Sequence, residues 1–206
     1  MKVCSFLVVL ILVLASTSAF AATSFDFETT PAGATQGSLT VTDGGVTLTV
    51  TAEGNPNGWL HVMTAGVPLV GQGIVANNLN PQQSNQYIPM RFTFSQLISD
   101  ITFSFGDNGG DDDSPWFIKA YDAADNLLAT NTGAYPGGFG GGMTSTLNNI
   151  GGASYFLLSS TPVDNPHSMI WDVKDYAVDA TVPEPATLLL LGAGIAGLVL
   201  SRKRLS

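Results

Sequence analysis

An alternation of apolar residues with threonine over residues 38–51 is the feature that most limits the folds open to this chain. In Leu39-Thr40-Val41 and in Val46-Thr47-Leu48-Thr49-Val50, every second side chain is apolar. Because successive side chains of a strand point to opposite faces of a sheet, each segment predicts a half-buried strand. Asp43-Gly44-Gly45 between them suits the positive φ of a tight turn. The segment therefore predicts an antiparallel hairpin.

Further short apolar or alternating runs are separated by turn residues. They cover residues 25–28, 59–63, 88–94, 101–105, 116–121, 127–130, 155–158 and 169–178, with a short strand at 74–76 inside a Gly-, Asn- and Gln-rich loop. Pro89 places its strand at an edge or at its first residue. About ten short strands predict an all-β fold, an antiparallel β-sandwich of jelly-roll type.

The last 25 residues, 182–206, have three parts. The prolines of Val182-Pro183-Glu184-Pro185 fix φ and predict a stiff, exposed peptide. An uncharged apolar run follows, and we expect a transmembrane helix over about residues 186–201 that is short for the roughly 30 Å of bilayer hydrocarbon. Arg202, Lys203 and Arg204 can snorkel to the interface, and they place the C-terminus on the cytoplasmic side.

A Pro-Glu-Pro motif, a short apolar helix and a terminal basic cluster resemble the PEP-CTERM sorting signal of Gram-negative bacteria. The resemblance covers roughly residues 182–205. It implies recognition by the membrane-embedded enzyme exosortase, cleavage near the motif, and transfer to the outer surface or the exopolysaccharide matrix of a biofilm. It implies nothing about the function of the preceding 160 or so residues.

The N-terminus predicts a signal peptide over residues 1–21. Lys2 supplies the positive charge, residues 3–14 the apolar region and Ala19-Phe20-Ala21 the cleavage site. We expect the Sec translocon and signal peptidase as partners, and a mature chain that starts at Ala22. The only cysteine, Cys4, lies in the removed segment, so the mature protein has no disulfide and no cysteine site. Residues 22–181 form the expected ectodomain.

The charge balance of the ectodomain argues against nucleic acid as a partner. Outside the two targeting segments the chain keeps three basic and fifteen acidic residues, a net charge of about −12. Affinity for nucleic acid depends on Lys and Arg that neutralise phosphates. Such a balance is compatible with solubility, with repulsion from anionic surfaces, or with divalent cations.

One acidic loop is a candidate calcium site. It contains Asp107, Asp111, Asp112 and Asp113, whose carboxylates are ligands that Ca²⁺ prefers. A solvated hairpin loop is the alternative, and the spacing is not that of an EF-hand. A second resemblance, to jelly-roll carbohydrate-binding-like domains, concerns the first and last strands. It implies that these strands pair. It also implies that Asp26, Glu28 and Asp172 are an alternative calcium site.

Aromatic residues give a candidate glycan contact at Tyr135, Phe139 and Trp59, because exposed aromatic faces on a β surface stack on sugar rings. Tyr135 and Phe139 flank a glycine-rich loop. Trp116 and Trp171 lie within predicted strands, so we expect them in the core. The two histidines, His61 and His167, have no metal-ligand partners in the sequence, and His61 alternates with strand residues.

No catalytic motif is present. The sequence lacks G-x-S-x-G, H-E-x-x-H, a P-loop and a dinucleotide fingerprint. We therefore expect a non-enzymatic exported protein that is anchored in the inner membrane before processing and later displayed at the surface or in the matrix, in a structural or adhesion role. The alternatives are a calcium-dependent carbohydrate-binding module acting on exopolysaccharide and a secreted hydrolase whose site is not recognisable. Calcium is the only cofactor that the sequence suggests.

Overall fold

The computed structural model describes residues 23–25, 27–64, 71–77, 88–107, 115–134, 142–160 and 169–179. They form twelve strands and one short 3₁₀ turn, η1 (Phe27–Thr29). The strands are β1 (Thr23–Phe25), β2 (Gly33–Gln36), β3 (Ser38–Asp43), β4 (Val46–Ala52), β5 (Trp59–Thr64), β6 (Gln72–Asn77), β7 (Met90–Asp107), β8 (Trp116–Tyr121), β9 (Leu127–Gly133), β10 (Gly142–Leu147), β11 (Ala153–Ser160) and β12 (Met169–Val178).

The long strand β7 joins two sheets. Its first residues, Met90–Phe94, lie between β4 and β11 and give a first sheet in the order β3-β4-β7-β11-β8-β9. Its later residues pair with β10 and β12 and give a second sheet in the order β10-β7-β12-β6-β5-β2, with β1 also paired to β12. All of these pairings are antiparallel. The all-β sandwich predicted from the sequence is confirmed.

The core lies between the two sheets and is rich in aromatic residues. Phe103 of the second sheet packs edge-on against Phe92 and Phe156 of the first, with ring centroids 5.5 and 5.7 Å apart. On its other side it meets Trp171. Trp116 and Trp171 are buried, as predicted. The chain has a single cysteine, so no disulfide can form within it, and burial of apolar surface stabilises the fold.

The hairpin predicted at residues 38–51 is present as β3 and β4. Leu39 faces Val50 and Val41 faces Leu48 across the pair. Gly44 and Gly45 occupy the turn with φ values of 54° and 81°, which glycine adopts without steric cost.

Two expectations about strand boundaries are wrong. The sequence predicts separate strands at residues 88–94 and 101–105, whereas the chain runs without a break through β7. Residues 25–28 were expected to form one strand, but β1 ends at Phe25 and a 3₁₀ turn follows. Pro89 directly precedes β7, in agreement with its predicted position at a strand start.

The bulges in the β7–β12 pairing explain why one strand looks like two. Tyr176 faces Ile101, but Val178 faces Ile98, so one residue of β7 is left over. This extra residue moves the buried positions from Phe92 and Phe94 to the opposite parity at Ile101. The change of parity resembles a strand break in the sequence.

Candidate functional site

The strand that leads to the Pro-Glu-Pro motif is held by hydrogen bonds almost to the motif. Val178 at the end of β12 faces Ile98, and the backbone N–H of Asp179 donates to the Leu97 carbonyl at 2.7 Å. The motif residues Val182, Pro183, Glu184 and Pro185 and the basic residues Arg202, Lys203 and Arg204 lie outside the described residues. Three residues, 180–182, separate Asp179 from Pro183.

The first strand supports this last strand. In the β1–β12 pair, Thr23 faces Tyr176 and Phe25 faces Val173, which confirms the predicted pairing of the first and last strands. The Phe25 and Tyr176 rings stack with centroids 4.9 Å apart. The Tyr176 hydroxyl donates to the Asp43 carbonyl at 3.1 Å. The start of the expected mature chain therefore lies beside the strand that precedes the motif.

The predicted calcium loop is described only at its first residue. Asp107 ends β7, where its backbone faces Met169; Asp111, Asp112 and Asp113 lie outside the described residues. The described part of the chain contains no group of three or more His, Cys, Asp or Glu residues that could hold a metal ion. The loop stays a prediction.

The residues of the alternative calcium site are partly described, since Asp26 lies outside the described residues. A carboxylate oxygen of Glu28 accepts a hydrogen bond from the Gln72 backbone N–H at 2.6 Å. Asp172 lies on β12 opposite Ser104. Glu28 therefore has a structural contact that joins the 3₁₀ turn η1 to β6.

The predicted glycan residues are not brought together by the described part of the structure. Tyr135 and Phe139 lie outside it. Trp59 is half-buried on β5, where His61 and Met63 follow on the same face. Burial lowers the pKa of His61, which favours the neutral ring.

A cluster of five side chains on the outer face of the first sheet was not predicted. Its centre is Tyr155 on β11. The Arg91 guanidinium lies 3.8 Å from the Tyr155 ring centroid. The Tyr121 ring stacks on Tyr155 at 4.9 Å with an interplanar angle of 8°. The Tyr155 hydroxyl donates to the Asp125 carboxylate at 2.8 Å, and Arg91 Nε donates to Glu53 at 2.9 Å.

These contacts change the acidity of the cluster. Burial raises the pKa of Tyr155 to about 12, and the hydrogen bond to Asp125 acts in the same direction. Burial alone would lower the pKa of Arg91, but the hydrogen bond and negative charge of Glu53 raise it above its usual value. At neutral pH the cluster consists of a neutral phenol and a paired guanidinium, an arrangement that stabilises the sheet and presents a polar surface.

Strand β8 adds a further aromatic side chain, Phe117, to the same face of the first sheet. Phe117, Lys119 and Tyr121 alternate along β8 and are half-buried. The Lys119 ammonium lies 5.0 Å from the Phe117 centroid. The alternation along β8 was readable in the sequence. The stacking of Tyr121 on Tyr155 was not, because it depends on strand order.

A concave feature lies on the second sheet. It is an open groove of about 420 Å³, lined by residues of β7, β10 and β12 that include Asp100 and Asp175. Asp100 accepts hydrogen bonds from the Ser99 hydroxyl at 2.6 Å and from the Asn149 backbone N–H at 3.1 Å. These bonds give Asp100 a structural role in holding the turn after β10.

The described residues include no helix that is long and apolar enough to cross a membrane. The expected helix at about residues 186–201 lies outside them.

Comparisons with known proteins give one family match. A family model described as the PEP-CTERM protein-sorting motif matches residues 181–204. A search of the curated proteins finds no match. Among solved structures, an arabinose-bound α-L-arabinofuranosidase is similar at 9% identity and a TM-score of 0.36, over 68% of this chain and 23% of that chain. This chain thus spans about a quarter of that enzyme, and so low a TM-score carries no argument about function.

Proposed function

We propose that the ectodomain of this PEP-CTERM protein, which exosortase sorts to the cell surface, is a non-enzymatic structural module displayed there. In this proposal residues 1–21 are a signal peptide removed after Sec export. Residues 186–201 are a transient inner-membrane helix, and exosortase cuts near Val182–Pro185. The observation that carries the proposal is the sorting motif at residues 181–204, immediately after the last strand of a sandwich.

The position of the strands supports the two processing sites. β1 starts at Thr23 and β12 ends at Val178, so neither expected cut removes a described strand. Cleavage before Ala22 leaves β1 intact, and cleavage at the motif leaves the Asp179–Leu97 hydrogen bond intact. The processed ectodomain keeps its whole described core.

The hydrogen bonds and the ion pair that the described carboxylates form support a structural role. Asp122 accepts hydrogen bonds from the Ala124 and Asn126 backbone N–H groups at 2.8 and 2.9 Å and so closes the turn between β8 and β9. Glu53 pairs with Arg91 and Asp125 with Tyr155. Each of these acids holds a turn or a face of the sandwich.

The test of the proposal is the mass of the surface protein. In a cell that has exosortase, we expect the released protein to begin near Ala22 and to lack the apolar helix. A Pro183→Ala, Pro185→Ala double variant should retain the tail, because it loses the stiff extended peptide. Pro31→Ala, at an exposed position outside the motif, is the matched control. Recovery of the full-length tail from mature surface protein would refute the proposal.

We propose glycan binding on the outer face of the first sheet as a second candidate function. The observation that favours it is the row Phe117, Lys119 and Tyr121 on β8, with Arg91 on the same face across β11, which places two of the three ectodomain basic residues on one face. Aromatic faces stack on sugar rings, and paired cations suit acidic polysaccharides. A calcium-dependent mode would in addition use the acidic loop.

The glycan proposal is tested by affinity electrophoresis in the host's exopolysaccharide. Replacing Phe117 and Tyr121 by Ala should weaken retention by roughly 1–3 kcal/mol, the range usual for lost aromatic contact area. Trp59→Ala and the pair Tyr135→Ala, Phe139→Ala test the positions predicted from the sequence. Unchanged retention in all three would reject glycan binding and leave the structural role untouched.

A further inference from the structure

β9 is the outermost strand of the first sheet. Within the described residues it pairs only with β8. Its inward-facing side chains, such as Ala129 and Asn131, are half-buried, whereas the inward-facing residues of β8 are fully buried. One row of backbone N–H and C=O groups along β9 therefore faces away from the sheet and is able to bond another strand.

β9 carries exposed leucines at its start. Leu127 is 54% and Leu128 is 37% exposed. Among the described residues, Leu97 is the only other large hydrophobic side chain that is exposed. Exposed apolar area at a strand edge favours association with another surface.

The two edge strands on this side of the sandwich, β9 and β10, carry no charge, whereas β8 beside β9 carries Lys119 opposite Thr130. From Asn126 to Val163 the chain has no acidic or basic residue, and this segment includes β9, β10 and β11. β10 is the edge of the second sheet on the same side, since Asn131 of β9 donates a hydrogen bond to Ser145 of β10 at 2.7 Å. The acidic residues nearest to β9 in the sequence are Asp122 and Asp125 in the turn before it, and the other acids lie in other segments. Two copies therefore repel each other least when these uncharged edge strands face.

The protective devices usual at sheet edges are nearly absent from β9. Native edges are commonly blunted by charged residues, proline, bulges or short length. β9 has seven residues without a charge or a proline, and its one bulge lies near its start, opposite Ala120–Tyr121. By comparison β2 has four residues, and β3 ends in Asp43 beside Tyr176.

We propose that β9 pairs antiparallel with β9 of a second copy of this chain. A two-fold axis perpendicular to the continuous sheet relates the two β9 strands. The residue nearest to this axis therefore faces the same residue of the other copy. Full overlap of Leu127–Gly133 places that position at Thr130. Leu128 then faces Thr132 of the other copy, and the uncharged edges meet. This inference holds whether or not the tail is processed.

A single introduced cysteine tests the pairing. In a Cys4→Ser background the chain has no thiol, so Thr130→Cys is its only reactive site. Facing Cα atoms in an antiparallel pair lie about 4.5–5.5 Å apart, within the range of a disulfide. Mild oxidation of the full chain in detergent should give a dimer on a non-reducing gel. Thr40→Cys, exposed on the opposite edge of the same sheet, is the control and should stay monomeric.

Sedimentation of the full chain in detergent gives an independent measurement. We expect the unaltered chain to shift from monomer to dimer mass as its concentration rises. Leu128→Lys should abolish the shift, because a lysine on an edge strand opposes pairing with another strand, and Thr40→Lys should leave it unchanged. Circular dichroism checks that Leu128→Lys stays folded; if it does not, the Thr130→Cys cross-link decides.

Two results would overturn the proposal. One is a monomer at every concentration together with no Thr130→Cys cross-link. The other is a cross-link that forms only between Thr130→Cys and Thr40→Cys chains, which would show head-to-tail pairing. Equal cross-linking of Thr40→Cys with itself would show non-specific collision and also reject it.

Discussion

Tyr155 and Asp125 form a hydrogen bond of 2.8 Å between the second-last strand and the turn before β9. Asp125 has a φ of 63°, a left-handed conformation that costs energy for a residue with a side chain. The hydrogen bond to Tyr155 therefore compensates for strain in the turn. It also fixes the tyrosine ring between Arg91 and Tyr121, since β11 lies between β7 and β8.

The first prediction concerns the pH dependence of this bond. The pKa of Tyr155 is raised to about 12 from the ordinary value of 10. A raised folded-state pKa means that the contribution of the phenol to stability is complete below pH 10 and is lost as the pH rises through about 12. Tyr155→Phe should lower the free energy of unfolding by about 0.5–1.5 kcal/mol at pH 7. The difference from the unaltered chain should vanish above pH 12.

The absorbance titration of the tyrosines checks the assignment. The chain has five tyrosines, and Tyr155→Phe should remove one that ionises near pH 12 instead of near pH 10. Asp125→Asn keeps an acceptor oxygen and tolerates the left-handed backbone, but it removes the negative charge, so the pKa of Tyr155 should fall. A titration in which Tyr155→Phe removes an ordinary step near pH 10 would contradict the prediction.

The second prediction concerns Gly58, a buried glycine without room for a side chain. A Cβ atom at this position would lie 2.5 Å from the Ala52 Cβ and 3.1 Å from the Asn55 carbonyl. Gly58→Ala should therefore lower the free energy of unfolding by about 1–3 kcal/mol, the usual effect of overpacking.

The double variant isolates the cause. Ala52→Gly removes the atom that the new methyl group would meet, so it should cost less in the Gly58→Ala background than in the unaltered chain. Urea unfolding of the four proteins gives the coupling energy. Additive effects would show that the loss arises elsewhere, for example from the hydrogen bond between the Gly58 carbonyl and the Gly37 N–H.

The sequence allowed the strands with local signals to be predicted, and failed where distant contacts decide the structure. The β3–β4 hairpin was predicted because alternation and turn residues lie next to each other in the chain. β6 was expected as a short strand at 74–76 in a loop because its ends are polar. The Gln72 side chain in fact donates to the Phe27 carbonyl at 2.8 Å, a partner 45 residues away that no local pattern reveals.

The same distinction applies to the functional residues. The sorting motif is a continuous segment, so its parts could be recognised in the sequence. The family match at residues 181–204 agrees with it. The cluster around Tyr155 combines β7, β11 and β8, which come together only through strand order. The strand β10 was missed because its residues, Gly142–Leu147, follow a glycine-rich run and carry few strong strand formers.

The third prediction concerns the calcium expectation at Asp107, Asp111, Asp112 and Asp113. If the loop binds Ca²⁺ like other extracellular modules, with a Kd of about 10⁻⁴–10⁻³ M, a few millimolar of the ion should stabilise the fold by roughly 1–2 kcal/mol. The physical reason is relief of repulsion among close carboxylates. Thermal melts in EGTA, in CaCl₂ and in matched NaCl measure the effect.

Two variants locate the ion. Asp111→Asn with Asp113→Asn should abolish the shift, whereas Asp172→Asn should leave it unchanged; the reverse would move the ion to the strand-end site. The NaCl sample separates binding from general screening. Equal rises in melting temperature with NaCl and CaCl₂ would leave the segment as a solvated hairpin loop.

The last prediction concerns Phe25, which joins β1 to β12, the strand before the sorting motif. Phe25 is 2% exposed, stacks on Tyr176 and also contacts Phe94, with ring centroids 5.9 Å apart. Phe25→Ala should lower the free energy of unfolding by about 3–5 kcal/mol, as for other buried aromatic residues. Leu127→Ala, at an exposed position, is the matched control and should change it by less than about 0.5 kcal/mol. Hydrogen exchange should accelerate along Val173–Tyr176, because β1 pairs there; exchange that speeds up only in the first sheet would show that β1 does not hold β12.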